Sequence, residues 1–373
     1  MSKLPALLAL VYVTIFSFLS CVSEYPLDSV PAENFLVIDA VLNYSEGADS
    51  NDLVVKLVES VTASVGSGYQ APVAGAIVSL IVNDKTTVFL PEREKGNYYL
   101  FDKSIFKPGN SFKLSINKGN DTYESKAEVM PDTVAIQKVY QDYVEKITAQ
   151  NTFEILVDVQ DEPQKRNFYK WSITQWERQG YCVYCYTANR SENCSADLYA
   201  TPGVIISRNR PCLSDCFDIL KFNPNNAISD VFFDGKQLLR KSIGTLPLNF
   251  GTSCLIEVRQ STLTPQYFDF LELLKTQSQN TGGLADTPAA LLTGNITNKT
   301  NPKQIVLGYF SVTNGVNRRY WLDRSGATAR GITPLASINP PLPIPAPTPP
   351  SWSAIPCAKS KGRTPEKPLG WRD

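Results

Sequence analysis

The sequence predicts a mainly β protein, and three observations support that class. Runs of β-branched and aromatic residues recur about every ten residues, with turn residues between them. A single segment has the periodicity of an amphipathic helix. The apolar fraction of 43% and the aromatic fraction of 10% are those of a folded globular protein. A chain of 373 residues is long enough for about two or three domains.

The first predicted domain covers residues 34–132 and has the pattern of an immunoglobulin-like or transthyretin-like β-sandwich. Phe35–Ile38, Ala76–Val82 and Phe112–Ile116 are β-rich runs, and the last of these alternates between apolar and polar residues. Turn pairs such as Asn83-Asp84 and Gly119-Asn120 separate the runs. Short strands at this spacing are typical of sandwich folds.

The second predicted domain, residues 133–330, is larger and also β-rich. Glu154–Val159 is a clear strand run, and Asp234-Gly235 predicts a tight hairpin. Thr264 is a suitable N-cap before Pro265, which favours a helix over residues 265–280. Its apolar residues recur with helical spacing and predict one face packed on a core: Tyr267, Phe270, Leu271 and Leu274.

Residues 331–373 are predicted to form a proline-rich extended tail. Seven of the eleven residues from 340 to 350 are proline, which favours polyproline II over a packed core. A surface spacer is the expected role, and use as a peptide ligand is the alternative.

The composition excludes several function classes. Lys plus Arg equals Asp plus Glu, 36 of each, so no net charge attracts nucleic acid or an anionic surface. The chain has no histidine, which excludes Ser-His and Cys-His catalysis and histidine-bound zinc. Carboxylate pairs, Lys and Tyr remain possible, but Asp158, Asp161 and Glu162 straddle a strand end and a turn and are expected to be solvated. We predict no catalytic residue, no bound metal and no cofactor.

The N-terminus has the pattern of a secretory signal over residues 1–20. Lys3 precedes the apolar run Ala6–Leu19, which is too short to span a bilayer comfortably, and Ser20 precedes Cys21. This arrangement resembles the lipobox of bacterial lipoproteins, in which the cysteine is lipidated and becomes the first residue. Residues 21–33 would then be a polar tether, with the rest of the chain outside the cytoplasm. The alternative is an ordinary signal peptide that is cleaved nearby.

Seven further cysteines allow three interpretations. Outside the cytoplasm, disulfides that hold loops together are the default. A thiolate site for zinc or an iron–sulfur cluster is the alternative, and a reactive redox pair is a third. The number is odd, so one thiol should stay free or pair with another chain. The disulfide candidates are Cys182, Cys185, Cys194, Cys212, Cys216, Cys254 and Cys357.

Aromatic residues surround this cysteine cluster and predict a cross-linked ligand-binding loop. Simple packing in the core is the equally weighted alternative. The candidate binding residues are Trp171, Trp176, Tyr181, Tyr184 and Tyr186.

Several segments, in order, resemble domain-of-unknown-function family 4249 of Bacteroidota. In the usual family ending, a second cysteine stands where this chain has Ser360, three residues after Cys357. The matching segments are Phe35–Asp39, Pro72–Val78, Gly96–Tyr98, Asn167–Trp171, the Pro-Cys at Cys212, Thr281–Gly283, Gly294–Ile296, Val306–Phe310, Arg318-Arg319 and Lys367–Trp371.

This resemblance implies an outer-membrane lipoprotein, surface-exposed, that accompanies a SusC-like TonB-dependent receptor in nutrient capture. No catalytic residues are defined for the family, so none is implied here. The expected function is therefore ligand binding or an accessory role in transport. A structural or adhesive surface protein is the alternative, followed by an envelope hydrolase that works without histidine.

Overall fold

The computed structural model describes residues 35–48, 51–61, 69–145, 151–183, 210–248, 252–279, 292–329 and 354–373. The predicted signal segment, Cys21 and the tether lie outside this part of the chain, as do residues 340–350 of the proline-rich stretch.

Most of the described residues lie in β-strands, which confirms the predicted mainly β class. The two helices in the described residues are α1 (Pro265–Gln279) and α2 (Ser325–Ala329). The strands, in chain order, are β1 (Phe35–Ser45), β2 (Val54–Val61), β3 (Tyr69–Pro72), β4 (Ile77–Val82), β5 (Thr86–Leu90), β6 (Glu92–Glu94), β7 (Asn97–Tyr99), β8 (Ser111–Lys118), β9 (Asp121–Ser125), β10 (Glu128–Val129), β11 (Ile136–Val144), β12 (Thr152–Gln160), β13 (Phe168–Arg178), β14 (Tyr181–Val183), β15 (Arg210–Pro211), β16 (Phe217–Phe222), β17 (Ile228–Ser229), β18 (Gln237–Pro247), β19 (Cys254–Thr262), β20 (Ile296–Asn298), β21 (Val306–Leu322) and β22 (Arg363–Thr364).

A large, eleven-stranded sheet combines strands from early and late parts of the described chain. Its strand order is β22-β16-β13-β19-β21-β1-β2-β7-β6, with β17 beside β13 and β3 beside β2. A six-stranded sheet (β20-β9-β8-β4-β5, with β10 on β8) and a three-stranded sheet (β11-β12-β18) accompany it. A short β14-β15 pair completes the described strands.

Two hydrophobic cores lie between the large sheet and the two smaller sheets that pack on it. The first core packs Ile38 and Leu57 of the large sheet against Leu80 and Leu114 of the six-stranded sheet. The second core packs the β13-β19-β21 part of the large sheet against the three-stranded sheet. Alternating residues along each strand supply these cores, as period-two patterning predicts.

The predicted boundary near residue 132 is not a boundary between sheets. Strand β1 pairs in parallel with β21, from Leu36 opposite Val306 to Ser45 opposite Gly315. Strand β20 also pairs with β9 and so extends the six-stranded sheet of the first half. Strands from the end of the chain therefore complete the first half, because β21 pairs with β1 along its beginning and with β19 along its end.

Two glycines allow the closest backbone contact at this junction. A Cβ on Gly308, which has φ +96, would lie 2.0 Å from the carbonyl oxygen of Ile38. A Cβ on Gly294 would lie 1.6 Å from the carbonyl oxygen of Gly308. Asn295 then joins the two segments, because its side chain exchanges hydrogen bonds of 2.8 and 2.9 Å with the backbone of Phe310. Two of the late segments that resemble the family, Gly294–Ile296 and Val306–Phe310, therefore have a structural role.

The predicted helix exists as α1, within one residue of its expected end. The Tyr267 backbone N–H donates to the Thr264 hydroxyl at 3.3 Å, which confirms the N-cap. Tyr267 and Leu271 pack with Tyr309 on the face of the large sheet opposite the first core. Leu274, predicted on the same stripe, is exposed because the helix has passed beyond its hydrophobic cluster there.

The prediction of a hairpin at Asp234-Gly235 was correct for the turn and wrong for the strand pairing. Gly235 does lie in a turn with φ +69. The flanking strands pair elsewhere, β17 with β13 and β18 with β12. Within the described residues, neither helix has the length and apolar character needed to cross a bilayer.

Candidate functional site

A surface cleft of about 360 Å³ lies at one end of the large sheet, and we call it the aromatic cleft. It forms where the last turn of the chain folds over the ends of β13, β19 and β21. Its lining residues are Arg178, Gln179, Gly180, Thr252, Ser253, Trp321, Trp371, Arg372 and Asp373. Its volume falls in the range of small-molecule sites.

Two half-buried tryptophans form the apolar part of the aromatic cleft. The rings of Trp321 and Trp371 meet edge to face, with centroids 5.2 Å apart and planes at 86°. Phe217 supports Trp371 from behind, at 4.7 Å between centroids. The Arg372 guanidinium lies 6.0 Å from the centroid of Trp321, within cation–π range. The cleft therefore offers aromatic surfaces beside a cation.

Polar groups in the aromatic cleft are arranged as donors and acceptors. Arg178 pairs with Asp215 at 2.7 Å and lies 3.9 Å from the Asp373 carboxylate. Lys367 also pairs with Asp373, and this hydrogen bond holds the pKa of that carboxyl below its usual value. The lining therefore carries a charged acceptor, Asp373, and a charged donor, Arg372, and such groups can orient a polar ligand.

The wall that carries Trp371 is the chain segment 354–373, which is firmly docked. Strand β22 pairs with β16, and a disulfide joins Cys357 to Cys216. Arg363 donates to the Cys182 carbonyl at 2.8 Å and also pairs with Asp218. The predicted extended tail without a core is therefore wrong for residues 354–373, because a disulfide, strand pairing and aromatic packing hold them to the sheet.

A buried ion pair supports the floor of the aromatic cleft. Arg324 and Glu177 have 0% and 2% exposed side chains, and an Arg324 Nη1–Glu177 Oε2 hydrogen bond of 3.1 Å joins them. The Arg324 guanidinium also donates to the Thr252 carbonyl at 2.8 Å, and the Arg324 backbone N–H donates to the Ser253 hydroxyl at 3.1 Å. Burying two charges is costly unless both are hydrogen-bonded, as they are here. Thr252 and Ser253 are consequently fixed where they line the cleft.

The structure pairs four of the seven disulfide candidates, Cys182 with Cys212 and Cys216 with Cys357. Cys185 and Cys194 lie outside the described residues.

Cys254, one of the predicted disulfide candidates, is instead a free, buried thiol. It points into the second core from β19. Burial there raises the pKa of the thiol, so it stays protonated and unreactive.

The predicted binding aromatics are not the ones that line the aromatic cleft. Trp171 was wrong as a ligand-binding residue, because it is fully buried and donates to Gln260 at 2.9 Å. Trp176 is half-buried on the opposite face of β13, and Tyr181 is 45% exposed, but neither lines the cleft. Tyr184 and Tyr186 lie outside the described residues.

Of the three acidic residues near Pro163, Glu162 is exposed as predicted, whereas Asp158 and Asp161 are not solvated. Asp158 and Asp161 are 8% and 2% exposed. Asp161 accepts hydrogen bonds from the Tyr169 hydroxyl and, at 2.9 Å, from the Gly235 backbone. Its carboxylate lies within 4.8 Å of those of Asp230 and Asp234. These carboxylates tie loops together through backbone donors.

Fold and site together define a mainly β protein whose surface cleft is closed by a disulfide-linked chain segment. The chain belongs to the family described as Domain of unknown function (DUF4249), whose sequence model matches residues 22–319. A comparison with curated proteins found no match. The match to the family ends before Trp321 and Trp371, so four of the nine lining residues of the aromatic cleft lie beyond the matched segment.

Proposed function

We propose that this protein is a lipid-anchored outer-membrane subunit that binds a ligand for a SusC-like TonB-dependent transporter, without catalysing a reaction. The aromatic cleft is the observation that carries the binding role. Its aromatic rings and oriented charges can hold a small molecule. Cys254 follows Ser253 of the lining, but it packs into the second core as a buried, protonated thiol.

The pattern at Cys21 supports the anchor. Lipidation there would place the folded part of the chain after a short polar tether, with β1 beginning at Phe35. Two or more acyl chains hold a protein firmly on a membrane. The charge balance of the chain leaves little electrostatic attraction to a bilayer, so the proposal depends on the lipid.

The anchor is tested by metabolic labelling with a fatty-acid probe. We expect label on the wild-type protein and none on Cys21→Ser. Mild detergent extraction should then co-purify the wild-type protein with a TonB-dependent barrel identified by mass spectrometry. Equal labelling of the two proteins would contradict the anchor, and a wild-type protein extracted alone would contradict the transporter role.

The cleft is tested by native mass spectrometry of protein purified from its own envelope. We expect a small-molecule adduct on the wild-type protein, and its loss in Trp321→Ala. The matched control is Phe89→Ala, which removes an aromatic ring that is 64% exposed outside the cleft. An adduct that survives Trp321→Ala would place binding elsewhere.

A further inference from the structure

The four disulfide-bonded cysteines of the described chain lie in one group. The Sγ atoms of Cys182, Cys216 and Cys357 all lie within 4.8 Å of one another. Cys212 is bonded to Cys182 and so adds a fourth sulfur to the group. Cys182, Cys216 and Cys357 are buried, and Cys212 is half-buried. The two disulfides are therefore neighbours.

We infer that the reduced forms of these four cysteines make up a tetrathiolate site for one Zn²⁺ or a similar soft divalent cation. Each disulfide would take two electrons and two protons from a dithiol reductant, which becomes a cyclic disulfide. The cation would then displace the protons of the thiols and bind the sulfurs. The oxidised, cross-linked form and the metal-bound form are two states of the same cluster.

The spacing of the sulfurs suits such a site. Structural zinc is bound tetrahedrally by four ligands with Zn–S distances of about 2.3 Å, which places the sulfurs about 3.8 Å apart. The Cys182 sulfur lies within 4.8 Å of the sulfurs of Cys216 and Cys357. The latter two are bonded to each other, and reduction would let them separate to the spacing that a single cation needs. The fourth sulfur, that of Cys212, is bonded to Cys182, so reduction would release both of these sulfurs beside the other pair.

Backbone pairing keeps the cluster together without the S–S bonds. On either side of Cys212, the Ile355 N–H donates to Pro211 at 3.0 Å and the Leu213 N–H donates to Ile355 at 2.8 Å. Gln179 donates to the Cys216 carbonyl at 2.8 Å. These contacts bring the chain near Cys357 against the strands that carry the other cysteines. The reduced site is therefore largely preformed, which lowers the cost of ordering it on binding.

The test uses Co²⁺ as a spectroscopic substitute for zinc. The full-length protein is reduced with a phosphine, kept free of oxygen and titrated with Co²⁺. We expect the visible bands of tetrahedral thiolate cobalt at one ion per chain. Cys216→Ala with Cys357→Ala should lose the bands, whereas Cys254→Ala should keep them, because that thiol lies in the second core. Cys185→Ala with Cys194→Ala should also keep them.

A second measurement does not depend on variants. The reduced wild-type protein is alkylated with and without Zn²⁺, and the modified cysteines are mapped by mass spectrometry. Protection of Cys182, Cys212, Cys216 and Cys357 together would support the site. The inference is overturned if no bands appear, if they persist without Cys216 and Cys357, or if zinc protects a different set of thiols.

Discussion

The disulfide between Cys216 and Cys357 should contribute more to stability than the one between Cys182 and Cys212. The two bonds span 141 and 30 residues respectively. In the chain-entropy account, cross-links that close loops of these lengths raise the free energy of unfolding by about 5 and about 3.6 kcal/mol at 25 °C. The two loops do not overlap, so their contributions to the unfolded state are independent.

The assay is equilibrium urea unfolding of the oxidised protein. The first variant carries Cys216→Ala with Cys357→Ala, and its matched control carries Cys182→Ala with Cys212→Ala. We expect the free energy of unfolding to fall by about 1.4 kcal/mol more in the first variant than in the control. Fluorescence and circular dichroism transitions should coincide in each variant, so that a two-state comparison is valid. An equal or larger loss in the control would refute the loop-length reasoning.

Burial raises the pKa of Glu128, so the folded state favours its protonated form. The free energy of unfolding should therefore fall as pH rises through that raised value. In thermal melts from about pH 4 to about pH 8, we expect a smaller decline of Tm in Glu128→Gln than in the wild-type protein. Arg324→Met leaves Glu177 buried without its partner and should cost about 3–5 kcal/mol in urea unfolding, whereas adding Glu177→Leu should recover most of the loss. Gly308→Ala should lower Tm more than Gly75→Ala. Both glycines have positive φ, but a Cβ at Gly75 meets nothing within 4 Å, whereas one at Gly308 meets the backbone of Ile38. Equal losses of Tm would show that backbone strain alone matters.

Much of the fold could be predicted from local pattern, because strands and helices depend on short-range periodicity. The β-rich run of β4, the alternation in β8 and the cap at Thr264 were sufficient for those elements. The domain boundary could not be predicted in this way. The pairing of Ser45 with Gly315 joins residues 270 positions apart, and no local signal encodes it.

The cleft was harder to predict than the fold, because two distant chain segments build it. Trp371 reaches Trp321 through the Cys216–Cys357 bond and the pairing of β22. Sequence proximity to the cysteines instead suggested Trp171. Period-two alternation already separated Trp171 from Trp176, since an odd spacing of five residues puts them on opposite faces of β13. That signal could have assigned Trp171 to the core.

The parallel pairing of β1 with β21 has a consequence for biogenesis. While the chain emerges from the ribosome or a translocation pore, β1 can pair with β2, but its other edge waits for β21, which is made 270 residues later. Until then the first core also lacks Val306, Phe310 and Val312 of β21. Such late closure is slow and favours aggregation. Nascent chains that stop before residue 306 should therefore depend on holding chaperones, and full-length chains should be released from them once β21 is in place.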